Sequence, residues 1–224
     1  MCEVYREAPA LAEQGERTMS TDELTNVRAL ERLHPSLPMR PGSVERVEFE
    51  YIRRGVCSFI FSRDVVTGQV VAPACGPTRT EADFLAHVQK VVASDPLTRR
   101  WHFVTDNLNI HCSASLVHWV AQESDLDIDL GIKGKSGFLK NRQSRAAFLG
   151  DPTHRIVFHY TPKHCSWLNQ IEIWLSILVR KLLKRGVFTS VELLKTKVLE
   201  FVDYYNRTMA KPFKWTYMGK PLTV

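Results

Sequence analysis

Near residue 80 the side-chain pattern switches from a period of two to helical spacing broken by short apolar runs, and this switch restricts the folds open to the chain. Val47, Phe49 and Tyr51 alternate with charged residues, as in a sheet with one wet face. Residues 44–51 and 56–61 therefore read as strands, with a turn at 66–69 and a further strand at 69–72. A shorter run, 17–21, reads as a strand ending at Asp22-Glu23. Residues 33–42 hold three prolines and a glycine and read as a loop, because proline has no N–H for a ladder. Helices are predicted at 80–93, 113–122, 167–185 and 190–206, and short strands at 101–105 and 155–160. Antiparallel strands followed by strand–helix alternation imply an α/β fold, a mixed sheet with helices on its faces.

Composition narrows the class. The 224 residues carry a net charge of +6 and 44% hydrophobic side chains, an ordinary globular balance with a basic bias. A pI near 9.1 favours a polyanionic partner, although many soluble proteins share it. The five cysteines, Cys2, Cys57, Cys75, Cys112 and Cys165, are scattered without a CxxC, which disfavours both a disulfide framework and a cysteine-rich zinc site. His111-Cys112 and His164-Cys165 supply zinc-type ligands at a spacing that fits no known pair of pairs. No run of about 18 apolar residues is present, and the N-terminus lacks the pattern of a secretory signal. A cytoplasmic protein with no membrane association is expected.

Three acids stand out by position. Asp22 and Asp106 each end a short strand, where open α/β sheets place their ligands. Glu172 lies in the apolar run WLNQIEIWLSIL, where a carboxylate is costly unless paired or bound to a cation. Asn169, three residues earlier, is placed to order it. Three carboxylates without a thiolate suit Mg²⁺ or Mn²⁺, and in phosphoryl-transfer sites such ions commonly work as a pair. Each acid alone could equally be a cap, a turn former or an ion-pair partner. Asn107 and Asn109 could orient Asp106 or a phosphate, and His111 and His164 fall at the edge of the site. Glu23 is expected outside the metal shell, because neighbours on a strand point oppositely. Trp101, Trp119, Trp167 and Trp174 are expected in the core, the last two on one helix face.

Several stretches carry a resemblance: Ser20-Thr-Asp22-Glu23 followed by ALERLHPSLPMRPG, then VEFEYIRRG (47–55), VTDNLNIH (104–111) and HYTPKHCSWLNQIEIWLSILVRKLLKRGVF (159–188). Within the last, Thr-Pro-x-x-x-Ser-Trp-Leu-Asn-x-x-Glu is the most specific, and Tyr205-Asn206 and the 211–215 tail also fit. Together they resemble the DDE-type transposases of bacterial insertion sequences in the mariner superfamily, the IS-630 group. The resemblance implies an RNase H-like fold whose five-stranded sheet has three antiparallel and two parallel strands. It further implies catalytic and metal-binding roles for Asp22, Asp106 and Glu172. The activity would be metal-dependent cleavage of double-stranded DNA at transposon ends, then transfer of the 3′-hydroxyl to target DNA. No small-molecule substrate is implied, a homodimer is expected, and the site of action would be the bacterial nucleoid.

Two features depart from that family. Only about twenty residues precede Asp22, where members usually carry helix-turn-helix modules, so 1–18 read as the remnant of an absent DNA-binding region and 19–224 as the catalytic domain. The gap from Asp106 to Glu172, 65 residues, is longer than is common, and 123–153 reads as an insertion. Lys133, Lys135, Lys140, Arg142 and Arg145 fall in an acid-free stretch there, either a DNA-backbone clamp or a solvated loop. Arg180, Lys181, Lys184 and Arg185 crowd the end of the predicted 167–185 helix, where the helix dipole alone would favour cations. Two other readings stay open. One is a non-catalytic DNA-binding or dimerisation remnant that modulates a full-length transposase. The other is a different RNase H-like nuclease such as a junction resolvase, which WLNQIE and the PFKWT tail disfavour.

Overall fold

The computed structural model describes residues 1–217, so the last residues of the expected 19–224 domain lie outside the described residues. The chain runs α1 (Cys2–Glu13), β1 (Glu16–Arg32), β2 (Tyr51–Asp64), β3 (Val70–Gly76), α2 (Glu81–Ala93), β4 (Arg100–Thr105), α3 (Ala114–Glu123), α4 (Arg142–Leu149), β5 (Ile156–Tyr160), α5 (Ile171–Leu178) and α6 (Val191–Thr208). The five strands form one sheet in the order β3-β2-β1-β4-β5. β1–β2 and β2–β3 are antiparallel, and β1–β4 and β4–β5 are parallel. This is the mixed, RNase H-like sheet that the resemblance implied. Among the described residues no helix is long and apolar enough to cross a membrane.

Strand alternation sends successive side chains to opposite faces. On one face Met19, Ile60, Phe103 and Phe158 pack against Phe84 and Val88 of α2, Leu116 and Val120 of α3 and Phe148 of α4. On the other, Phe59 and Phe61 pack against Trp174 of α5 and Leu194, Val198 and Tyr205 of α6. α2, legible in the sequence from the helical spacing of Phe84, Leu85, Val88, Val91 and Val92, starts at a reciprocal capping box between Thr80 and Asp83.

Four expectations are revised. Residues 44–51 do not form a strand: the ladder beyond Leu33–Glu50 is reduced to isolated bridges, Leu37 with Arg46 and Arg40 with Ser43. Pro35 and Pro38 offer no N–H there, and Val44 and Phe49 alternate with charges while fully in solvent. β1 reaches Arg32, well past the expected 17–21, and absorbs its charged residues through bulges at Leu24/Val27 and Arg28/Leu30, with Asn26 at φ 56°. The 123–153 stretch is not all loop. Asn141 and Ser144 form a reciprocal cap on α4, which buries Phe148 and Leu149. Last, 167–185 is not one helix: Trp167 sits in a 3₁₀ turn, α5 begins at Ile171, and a π-helical turn covers Val179–Leu183. Trp167 is consequently 53% exposed and Trp174 fully buried, so the two do not share a face. Trp101 is fully buried as expected.

At the N-terminus, α1 is packed onto the body of the fold. Tyr5 and Ala8 are buried with Val65 and Val104, and Gln170 N–H donates to the Tyr5 hydroxyl at 3.1 Å.

Candidate active site

Parallel pairing of β1 with β4 sets Ser20 opposite Val104. Two residues further on, the same register places Asp22 beside Asp106 on the same face, the one covered by α5. Asp22 is buried at 9% exposure, Asp106 is half-buried, and Glu172 projects from the exposed side of α5, whose other side buries Ile171, Trp174 and Leu175. The apolar run around Glu172 is therefore amphipathic, and its carboxylate is not embedded in the core.

The start of α5 is tied to β1 through one serine. The Ser20 hydroxyl accepts from Ile171 N–H at 2.8 Å and donates to the Asn169 side-chain oxygen. The Asn169 amide donates to Thr21 O at 3.0 Å and to Asp22 Oδ2 at 3.3 Å. Asn169 thus orders Asp22 and not Glu172. It precedes the helix in an extended conformation (ψ 110°), so the i,i+3 helical neighbour relation does not apply. Ser20 was not singled out in the sequence, since one serine in a strand carries no distinguishing local signal.

The acids influence one another. Burial, the Glu23 charge and the Asp106 charge push the Asp22 carboxyl up to about 7, against a hydrogen bond from Glu23 N–H that lowers it. Burial and the Asp106 charge raise Glu172. Burial would raise Asp106 as well, but hydrogen bonds from His111 and Leu108 N–H hold it below the usual carboxylate range. His111 bridges two carboxylates, with Nδ1 2.8 Å from Asp106 Oδ1 and Nε2 2.8 Å from Glu23 Oε1. Burial alone would lower its pKa, yet these two bonds and charges carry it up to about 10. Among the described residues no group of three or more His, Cys, Asp or Glu is arranged to hold a metal ion. The donor set is nonetheless all oxygen, and carboxylates that raise one another's pKa are the set a hard cation relieves.

Beside Asp106 opens a hollow of about 520 Å³ lined by Asn107, Arg142, Thr161, Lys163, His164 and Ser166, among others. Arg142 Nη2 donates to Asn107 O and Oδ1 at 2.6 and 2.7 Å, and the Asn107 amide donates to Thr161 O. Asn107 thus holds Arg142 at the rim, while Asn109 is exposed on a 3₁₀ turn. Of the nine cations expected to face DNA, only Arg142 lines this hollow. Lys133, Lys135 and Lys140 are exposed, with Lys133 3.8 Å from Glu81. Arg145 is buried and donates to the Cys112 and Leu139 carbonyls, so its charge serves packing. Arg180, Lys181, Lys184 and Arg185 are exposed on and after the π turn. Lys163 was missed because it belongs to no basic run. Only its place between β5 and α5 brings it to the rim.

A family model described as DDE superfamily endonuclease matches residues 17–195. No curated protein matches the chain. Among solved structures, the chain is similar to the Mos1 strand transfer complex at 13% identity and TM-score 0.48, over 92% of this chain and 54% of that one. It is similar to the Mos1 transposase paired-end complex with left transposon end at 12% identity and TM-score 0.46, over 90% of this chain and 52% of that one. A Mos1 mariner paired end complex with Mn matches at 12% identity and TM-score 0.33, over 95% of this chain and 61% of that one. The chain spans about half the length of the first two.

Proposed function

We propose that this chain, which belongs to the DDE superfamily endonucleases, cleaves DNA strands at transposon ends with Asp22, Asp106 and Glu172 and transfers the resulting 3′-hydroxyl to target DNA. The observation that carries the reading is the β1–β4 register. It sets Asp22 next to Asp106 at the strand ends, and Ser20 then ties in the helix that bears Glu172. Enzymes of this family depend on divalent metal. In this chain the three carboxylates would hold Mg²⁺ or Mn²⁺, as one ion or two, and the bound metal would activate the attacking oxygen and stabilise the leaving one.

The remaining work falls to the chain's own groups. Asn169 orients Asp22, and Arg142, positioned by Asn107, offers a charge to a phosphate next to Asp106. Lys163 and His164 extend that rim. Such a site acts through position and charge, which is most of what phosphoryl transfer asks of a protein. The catalytic unit on this reading is 19–224, with 123–153 inserted between α3 and β5, and two copies act on paired double-stranded ends.

Nicking of supercoiled DNA by the full chain in Mg²⁺ or Mn²⁺, set against EDTA, tests the reading. Asp106→Asn and Glu172→Gln should each lower the rate by at least ~100-fold while leaving the circular dichroism spectrum unchanged. Parental nicking by Glu172→Gln would remove it from the site. A folded parent chain that binds DNA and never nicks would favour a non-catalytic remnant.

Two arginines from the same helix should separate. Arg142→Ala is expected to weaken DNA binding and reduce the salt dependence of log K by about one phosphate contact. Arg145→Ala should leave that slope unchanged and cost about 2 kcal/mol of stability, because the Cys112 and Leu139 carbonyls lose their donor. Equal salt slopes in the two variants would place Arg142 off the DNA path.

A further inference from the structure

We infer that Glu23 and His111 are positioning residues, which fix the Asp106 carboxylate from behind the sheet and so set how tightly the site takes its divalent cation. The inference rests on the proposed function above. Glu23 adjoins Asp22 in sequence but points to the opposite face of β1, where its side chain is 1% exposed. Its Oε1 lies 2.8 Å from His111 Nε2, and Arg79 Nη1 stands 4.0 Å from its other oxygen. His111 is fully buried, and its Nδ1 reaches Asp106 Oδ1 at 2.8 Å.

The imidazole has little freedom. The Phe84 ring packs against it at a centroid distance of 4.3 Å, and the Tyr160 hydroxyl donates to the His111 carbonyl at 2.9 Å. One Asp106 oxygen is therefore claimed by His111 and by Leu108 N–H at 2.8 Å. The hydrogen bonds found at the Asp106 carboxylate all fall on that oxygen, which leaves the second one for a cation, while His111 Nδ1 also lies 3.3 Å from the Asp106 carbonyl. A chain from a buried carboxylate through an imidazole to a ligating carboxylate is the outer-sphere arrangement that orients metal ligands. Glu23 would touch neither metal nor DNA, so any effect it has on the metal must pass through His111 and Asp106.

The test measures Mn²⁺ binding to the full chain by electron paramagnetic resonance, alongside the Mn²⁺ concentration for half-maximal nicking. Glu23→Gln keeps the shape and a hydrogen-bond acceptor and removes the charge. It should weaken Mn²⁺ binding and raise the half-maximal concentration by about tenfold, measured at a temperature where the metal-free variant is still folded. His111→Gln should lose at least as much. The double variant, which also removes the buried charge that could unfold His111→Gln alone, should lose no more than the larger single loss. Parental Mn²⁺ affinity in Glu23→Gln would make the pair a structural staple and overturn the inference. Losses that multiply in the double variant would overturn it too, since the two residues would then act separately. A parent chain that binds no Mn²⁺ would refute the proposed function and this inference together, an outcome distinct from the other two.

Discussion

At pH 8 in EDTA, Asp22→Asn should melt roughly 4–8 °C above the parent chain, even though it removes a residue assigned to catalysis. Asp22 is 9% exposed and its carboxyl is pushed up to about 7 by burial and by the Glu23 and Asp106 charges. Its folded pKa lies above the unfolded value of 3.8, so the folded state holds the proton longer. Stability then falls as pH rises between those two values, by at most about 4 kcal/mol once Asp22 is ionised. Asn carries no charge and keeps the acceptor for Glu23 N–H, but its amide faces the Asn169 amide and loses that bond. The net gain should be about 2 kcal/mol at pH 8 and should be gone by pH 4, where the folded Asp22 is protonated and the unfolded one is near its midpoint. Adding Mn²⁺ should raise the parent's midpoint and leave the variant's unmoved. Differential scanning fluorimetry across that pH range decides it. A variant that melts below the parent at pH 8 would mean that the Asp22 charge is not a burden on the fold.

At His111 the charged form stabilises the fold instead of burdening it, although stability again falls as pH rises. Its folded pKa, about 10, lies above the unfolded 6.5, so its stabilisation is complete below pH 6.5 and is lost as pH rises through 10. His111→Gln leaves the Glu23 side chain, 1% exposed, without its cationic partner, and removing one member of a buried pair costs about 3–5 kcal/mol. The expected result is a large loss at pH 6 that shrinks toward zero by about pH 10.5. Glu23→Gln added to His111→Gln should recover much of it by removing the stranded charge. Urea unfolding of the three chains at the two pH values would show this. A loss that does not change with pH would trace the His111 contribution to packing against Phe84 alone. The two titrations are centred in different windows, 3.8 to about 7 for Asp22 and 6.5 to about 10 for His111, so measurements at pH 5 and pH 9 report mainly on one each.

Much of this molecule was legible along the chain. The helix that opens at Thr80, the strand ending at Asp106 and the acids themselves were found because each leaves a local trace: helical spacing of apolar residues, an apolar run or a motif. A mixed sheet followed from the sequence of periodicities, since antiparallel neighbours need short connections and parallel ones need crossovers, while the adjacency of the strands that bear Asp22 and Asp106 was implied by the family resemblance. Local traces failed where the decisive partner lies far away. Residues 44–51 alternate like a strand, but a strand exists only where another edge supplies a continuous ladder, and here residues 33–43 supply only isolated bonds. Arg145 and Arg142 belong to one basic run, and only the packing of α4 buries the first while Asn107 holds the second at the cleft.

Charge type and position along the chain determined which carboxylates could serve together. The tertiary structure decided what each one experiences. Asn169 serves Asp22 because Ser20 fixes the start of α5, and Glu23 is joined to Asp106 because His111 spans the end of the sheet between them. Apart from the local His111–Asp106 contact, these join residues 88 to 151 positions apart, and a hydrogen bond depends on distance in space, about which sequence separation says nothing.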